Sequence, residues 1–161
     1  MYQRILVPVD GSATSSKGLQ QAIALARLTG ARIRLVHVVD DLPVLIGMEG
    51  YGALVGDVLE VLRDAGRKIL AESVATVQAA GIQVESALYE SLQGRLCDRV
   101  SQEVREWSAD LIVLGTHGRR GVRRLVLGSD AEQVLRTSTV PVLLVRGDEP
   151  APAREELSPA R

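Results

Sequence analysis

Residues 115–129 have the sequence GTHGRRGVRRLVLGS, with glycines at positions 115, 118, 121 and 128. They follow the apolar run DLIVL at residues 110–114, whose branched side chains predict a strand buried on both faces. After the glycines, Ser129 and Glu132 have the spacing of a capping box, which predicts that a helix begins with Ser129 as its N-cap. A strand, a glycine-rich loop and a helix N-terminus favour phosphate binding, because backbone N–H groups and the helix dipole then face the anion.

Strand-like and helix-like segments alternate on either side of this stretch. The predicted strands cover residues 4–9, 33–39, 84–89, 112–114 and 142–145. Helical spacing of apolar residues fills the intervals, except for residues 40–56, where Pro43 and four glycines predict a long mobile loop. This alternation predicts an α/β fold, a single-domain doubly wound sheet of five parallel strands with helices on both faces. The domain is expected to cover residues 1–147, and the charged, proline-rich residues 148–161 are expected to form a disordered tail.

Composition excludes several classes of function. The chain has 161 residues, of which 46% are hydrophobic and only 2% aromatic, and its net charge is −1. Few aromatic rings and a balanced charge argue against a nucleic-acid-binding surface, so no nucleic-acid partner is expected. No apolar run reaches the ~18 residues that span a bilayer, and the N-terminus lacks a signal-peptide pattern, so we expect no membrane association and a cytoplasmic location. Cys97 is the single cysteine, which excludes an intrachain disulfide.

The glycine stretch resembles a known signature. Gly115-x2-Gly118-x9-Gly128-Ser129 is similar to the nucleotide-binding motif of the universal stress protein family, in its ATP-binding branch. The likeness extends from RILVPVD at residues 4–10 to PVLLV at residues 141–145, roughly residues 2–146. The resemblance implies the strand order 3-2-1-4-5. In that order strands one and four are neighbours at the switch point, where ligands bind beyond the carboxyl ends of the strands.

The candidate site lies in the loops that follow strands one and four. Its predicted cofactor-binding residues are Pro8, Asp10, Gly11, Ser12, Val38, Gly115, Thr116, His117, Gly118, Arg119, Gly121, Gly128, Ser129, Asp130 and Ala131. The expected cofactor is ATP, with Mg²⁺ as a further possibility. No catalytic residue is predicted, because no Walker A loop, nucleophile elbow or paired catalytic carboxylates occur. No metal-binding cluster is predicted, because His37 and His117 are far apart in the sequence and only one cysteine is present.

Roles within the site follow from the resemblance and from residue chemistry. The resemblance implies that Asp10 contacts the nucleoside, while Pro8 and Val38 flank the adenine. Arg119 belongs to a basic cluster in the loop, and its guanidinium suits phosphate oxygens. Asp130 follows the proposed phosphate site, where its carboxylate would repel an anion or require a bridging cation. Alternatively, the loop glycines serve only to form turns, and Pro8 and Val38 serve only to pack in the core.

Three functions are compatible with these residues. The first is an ATP-binding universal stress protein that acts as a nucleotide-dependent regulator with, at most, weak ATPase activity. The second is a fold-related enzyme that transfers adenylate, although the chain offers no obvious substrate-binding insertion. The third is an interaction scaffold that binds no nucleotide. His37 and Cys97 are interpreted as structural residues, the latter as a buried thiol.

The last strand predicts an oligomeric state. Residues 141–145 are short and apolar, and the inferred order places them at a sheet edge. An uncovered edge strand carries unpaired N–H and C=O groups and is a template for pairing with another chain. We therefore expect a homodimer formed through the fifth strand across a two-fold axis, as the resemblance also implies. A monomer in which the tail covers this edge is the alternative.

Overall fold

The computed structural model describes residues 1–39, 52–90, 95–116 and 127–147. Within these residues the elements are β1 (Arg4–Pro8), α1 (Ala13–Thr29), β2 (Arg32–Val39), α2 (Gly52–Ala79), β3 (Val84–Glu90), α3 (Leu96–Glu106), β4 (Leu111–Gly115), α4 (Ser129–Thr137) and β5 (Val142–Val145). All strands are parallel and form one sheet in the order β3-β2-β1-β4-β5. The predicted fold class and strand order are therefore confirmed.

Both faces of the sheet are covered, and the strand sequences show why. Along β1, Ile5 and Val7 point into one core while Leu6 points into the other. The residues that face either side of the sheet are therefore apolar. The first core lies beneath α1 and α2, and the second lies beneath α3 and α4. This burial on two sides explains the almost uninterrupted apolar runs of the central strands.

The predicted loop over residues 40–56 is too long at its C-terminal end. Helix α2 begins at Gly52, so residues 52–56 are helical. Two glycines in the first turns, Gly52 and Gly56, suggested a loop because each costs about 1 kcal/mol in a helix. The packing of a 28-residue helix outweighs that local cost. Residues 40–51 and the tail expected over residues 148–161 lie outside the described residues.

Helix α2 lies close to the sheet at Gly66. A Cβ atom added there would lie 2.9 Å from Cδ2 of His37 and 3.0 Å from Cγ2 of Val39. We expect Gly66→Ala to lower the free energy of unfolding by about 1–3 kcal/mol, because the extra methyl group overpacks this contact. Urea denaturation followed by circular dichroism measures the change.

Gly56 provides the matched control for that substitution. It lies in the same helix but is exposed, and an added Cβ would meet no atom within 4 Å. Gly56→Ala should therefore stabilise the protein by up to about 1 kcal/mol through helix propensity alone. Equal effects of the two substitutions would show that Gly66 does not make the close contact.

A buried ionic network connects α3 to β2 and β3. The carboxylate of Glu103 is 0% exposed, and its Oε2 lies 2.5 Å from Nε of Arg34. Arg34 Nη2 donates to Glu103 Oε1 at 3.1 Å, and the hydroxyl of Tyr89 donates to the same oxygen. Arg34 also contacts Glu85, which accepts a 3.0 Å hydrogen bond from the Trp107 indole. Burial, and then the hydrogen bond to Glu103, raise the pKa of Tyr89.

The thiol of Cys97 lies between α3 and α4. Cys97 is buried, and its Sγ donates to Oε1 of Gln133 at 3.4 Å. Burial, followed by the nearby Asp98 carboxylate, raises the pKa of the thiol. The interpretation of Cys97 as a buried thiol is confirmed, and a raised pKa disfavours the reactive thiolate.

Candidate nucleotide-binding site

The carboxyl ends of β1 and β4 lie side by side in the centre of the sheet. β1 pairs with β4 as far as Leu6 opposite Ile112, whereas it pairs with β2 as far as Pro8 opposite Val36. The order of connections reverses between β1 and β4, because β2 and β3 lie on one side and β5 on the other. This is the switch point at which doubly wound sheets bind ligands.

Pro8 explains why the sheet can open at this point. The N–H of Val9 donates to the Val36 carbonyl of β2 at 2.8 Å, while the Arg4 carbonyl accepts from Asp110 beside β4 at 3.0 Å. Backbone groups of successive strand residues point to opposite sides, so the nitrogen of Pro8 faces β4. Proline has no N–H and donates no ladder bond there. The structure thus gives Pro8 a backbone role, and its side chain is buried.

The loop after β1 is a tight turn that leads into α1. Oδ1 of Asp10 accepts the N–H of Ser12 at 2.8 Å, and Oγ of Ser12 accepts the N–H of Ser15 at 3.1 Å as the N-cap of α1. Oγ of Ser15 in turn accepts the N–H of Asp10 at 3.2 Å. Gly11 between them has φ +79°, a conformation that favours glycine. These bonds fix the direction of the Asp10 carboxylate at the start of α1.

The opposite wall is built around Thr116. Its N–H donates to the Val145 carbonyl of β5 at 2.9 Å, and its own carbonyl accepts the N–H of Gly128 at 2.9 Å. The second bond holds the N-terminus of α4 beside the end of β4. An added Cβ at Gly115 would lie 3.1 Å from the backbone of Thr14, so glycine lets the first turn of α1 approach β4 closely. The end of β4 at Gly115 and Thr116, the start of α4 at Gly128 and the start of α1 at Thr14 thus lie close together.

The start of α4 corrects one prediction. Gly128, with an extended backbone, is the N-cap, and its carbonyl accepts the N–H of Glu132 at 2.9 Å. The expected capping box of Ser129 and Glu132 is wrong, because Ser129 is already the first helical residue and the Glu132 side chain binds Arg136 at 2.6 Å. The cap makes no side-chain hydrogen bond among the described residues.

The exposure of the first α4 residues fits a ligand that approaches from solvent. Ser129 and Asp130 are exposed, whereas Ala131 is buried in the second core. Ala131 therefore anchors the first turn while the residues before it face outward. The carboxylate of Asp130 lies in the first turn, where the helix dipole stabilises negative charge.

Val38 and His37 occupy opposite faces at the end of β2. Val38 is half-buried and packs against the second core, opposite Tyr89 of β3 in the register. His37 is buried on the other face, and its Nδ1 lies 2.6 Å from the carbonyl oxygen of Val9. Sequence reasoning treated His37 as structural and did not connect it to the Val9–Asp10 backbone, since the contact depends on the strand register.

The remaining predicted residues, His117, Gly118, Arg119 and Gly121, lie outside the described residues. In the described ranges, no group of three or more His, Cys, Asp or Glu side chains is arranged to hold a metal ion. No helix among the described residues combines the length and apolarity needed to cross a membrane.

Comparisons with known proteins agree with this fold. The sequence profile of the universal stress protein family matches residues 1–146. A curated universal stress protein of Methanocaldococcus jannaschii is 32% identical over 148 residues, covering 91% of this chain and 83% of that protein. A crystal structure from the same family from Burkholderia pseudomallei is 33% identical, with a TM-score of 0.70, and covers 89% of this chain and 95% of that chain.

One solved relative was determined with a ligand. It is a universal stress protein in complex with cAMP, 25% identical to this chain, with a TM-score of 0.63 and coverage of 90% of this chain and 97% of that chain. The family match spans all of the described elements and includes the loops that follow β1 and β4. The chain therefore belongs to the universal stress protein family.

Proposed function

We propose that this protein binds an adenine nucleotide, specifically ATP, in the crevice between β1 and β4 and acts as a nucleotide-dependent regulator of the stress response. The observation that carries the proposal is the 2.9 Å hydrogen bond from Gly128 to Thr116. This bond places the N-terminus of α4 beside the end of β4, with the N-terminus of α1 next to it. Two helix N-termini at one switch point favour an anionic ligand.

The proposed contacts divide between the two loops. The carboxylate of Asp10 accepts from hydroxyl or amino groups of the nucleoside, and Gly11 and Ser12 shape that part of the site. Backbone N–H groups near Gly118 and Gly128, with the Ser129 hydroxyl, bind the phosphates. Because Gly128 is the N-cap, the Ser129 hydroxyl is not needed to cap α4, which suits it to this role.

The charge of Asp130 bears on the form of the nucleotide. Asp130 is exposed in the first turn of α4, beside the proposed phosphates. A divalent cation such as Mg²⁺ would bridge its carboxylate and a phosphate oxygen and remove their repulsion. The relative in complex with cAMP supports an adenine nucleotide as the ligand class. Nothing in the glycine motif resembles a residue that activates water, so turnover far below ~1 per second is expected.

Mass spectrometry of nucleotide released from freshly purified, denatured protein tests the proposal. The expected result is an adenine nucleotide, followed by calorimetric binding of ATP to nucleotide-free protein and weaker binding of GTP. Titrations with and without Mg²⁺ test the proposed role of Asp130, since Asp130→Asn should remove the dependence of ATP affinity on the cation. Absence of binding by ATP, ADP and cAMP under both conditions would contradict the proposed function.

We further propose that the protein forms a homodimer through β5, which lies at one edge of the sheet. Leu143 on this strand is 38% exposed. Leu143→Lys should weaken the dimer at least about tenfold, because two copies of the strand would bring like charges together. Leu28→Lys is the control, since Leu28 is an exposed leucine on α1. Light scattering that shows a monomer at tens of micromolar for the unmodified chain would overturn this interface.

A further inference from the structure

His37 lies behind the candidate site and contacts its backbone. The ring is buried on the face of the sheet covered by α2, and its Nδ1 is 2.6 Å from the carbonyl oxygen of Val9. Val9 immediately precedes Asp10. The N–H of Val9 donates to the carbonyl of Val36, which is also in β2, at 2.8 Å.

The chemistry of this contact fixes the state of the ring nitrogen. A backbone carbonyl only accepts hydrogen bonds, so Nδ1 of His37 must carry the proton and donate to Val9. The ring cannot move away from this position, because α2 packs against it at Gly66, where no room for a Cβ atom remains. The histidine is therefore held on both sides, by the helix and by the carbonyl.

The held carbonyl controls the peptide that leads into the turn. The carbonyl of Val9 and the N–H of Asp10 belong to one planar unit, so fixing the first fixes the second. That N–H donates to Oγ of Ser15 at 3.2 Å, and the Asp10 carboxylate then accepts from Ser12. Rotation of this peptide would redirect the Asp10 side chain and break the turn.

We propose that His37 is a positioning residue of the nucleotide site: its Nδ1–H locks the Val9–Asp10 peptide and thereby aims the Asp10 carboxylate into the crevice. The inference rests on the proposed function, because the alignment is useful only if Asp10 contacts a ligand. It predicts that affinity for the nucleoside portion depends on a hydrogen-bond donor at this position, in a residue that itself never touches the ligand.

Two substitutions separate the hydrogen bond from the packing. His37→Phe keeps a ring of similar size but removes the donor, and it should weaken ATP binding about tenfold, the effect expected for the loss of one well-placed hydrogen bond. His37→Asn loses the ring but keeps an N–H at the δ position, and it should bind ATP within about threefold of the unmodified protein. Calorimetry gives the affinities, and urea denaturation gives the stability of each variant.

The pattern distinguishes positioning from a merely structural role. If His37 acted only through packing, affinity would follow stability, and the smaller asparagine would be the weaker binder. Equal affinities of all three proteins, or weaker binding by His37→Asn, would overturn the inference while leaving the proposed function intact. Failure of the unmodified protein to bind any adenine nucleotide would instead overturn the proposed function, and the inference with it.

A measurement on the unmodified protein covers the case in which a variant does not fold. The Nδ1–H proton of His37 should be visible by ¹H–¹⁵N NMR as a proton protected from solvent. Saturation with ATP should shift its resonance, because the Val9 carbonyl belongs to the peptide that the ligand contacts through Asp10. An unprotonated Nδ1, or a resonance indifferent to bound ATP, would contradict the proposal.

Discussion

Glu103→Ala is expected to lower the free energy of unfolding by about 3–5 kcal/mol, the range for breaking a buried ion pair by removing one partner. The substitution leaves the guanidinium of Arg34 without its closest counterion and the hydroxyl of Tyr89 without its acceptor. The Tyr89 hydroxyl would then lack an acceptor beneath α3, where Glu103 is completely excluded from solvent, and Arg34 would keep only the more exposed Glu85 as its counterion. Urea denaturation at neutral pH measures the loss.

Glu106→Ala is the matched control, because Glu106 lies on the same helix but is exposed and accepts only from Gln102. Its effect should remain within about 0.5 kcal/mol. The triple replacement of Glu103 by Leu, Arg34 by Met and Tyr89 by Phe should recover most of the stability, because no polar group is then left unpaired. A loss below about 1 kcal/mol for Glu103→Ala would show that the network contributes little.

The same network makes the free energy of unfolding decrease at alkaline pH. The pKa of Tyr89 is raised in the folded state, first by burial and then by the hydrogen bond to Glu103. The stabilisation is therefore complete below the unfolded pKa of about 10 and is lost as the pH rises through the folded value. Tyr89→Phe should flatten the decrease in stability above pH ~10.

Gly118→Val is expected to reduce ATP affinity at least about a hundredfold, equivalent to about 2.7 kcal/mol. The expectation comes from the spacing of the glycine motif, because Gly118 itself lies outside the described residues. A branched side chain there would occupy the space in which backbone N–H groups meet the phosphates. Calorimetry with nucleotide-free protein provides the affinity.

A graded control accompanies this prediction. Gly118→Ala adds a single methyl group and should give an intermediate loss, while the helical circular dichroism signal should be the same for both variants. An unchanged affinity for Gly118→Val would show that the loop does not bind the phosphates. An equal loss of helical signal and affinity would instead assign the effect to folding.

Sequence reasoning succeeded where a local pattern carries the information. The apolar run before Gly115 and the alternation of strands and helices were sufficient for the fold class, and the resemblance implied the strand order that the sheet shows. The sequence also predicted that the loops after β1 and β4 begin at the same edge of the sheet, because parallel strands place their carboxyl ends there. These features depend on short segments of sequence and on general rules of connection.

The errors and omissions arose where contacts between residues distant in the sequence determine the local structure. Ser129 was predicted as the cap of α4, but the hydrogen bond between Gly128 and Thr116 starts the helix one residue earlier. A glutamate is expected at the surface, but Arg34 and Tyr89 stabilise Glu103 in the interior. The contact of His37 with Val9 requires the exact register of β1 and β2.

The proline at the end of β1 has a consequence for the empty protein. Separating two central strands normally leaves a buried N–H without a partner, which costs about 1–3 kcal/mol for the unmade hydrogen bond. The nitrogen of Pro8 faces β4 and carries no proton, so parting β1 from β4 at this level strands no donor there. An opening between β1 and β4 at this level therefore carries no cost from an unpaired N–H on β1. If the proposed nucleotide binds here, its entry and release break no backbone hydrogen bond donated by Pro8.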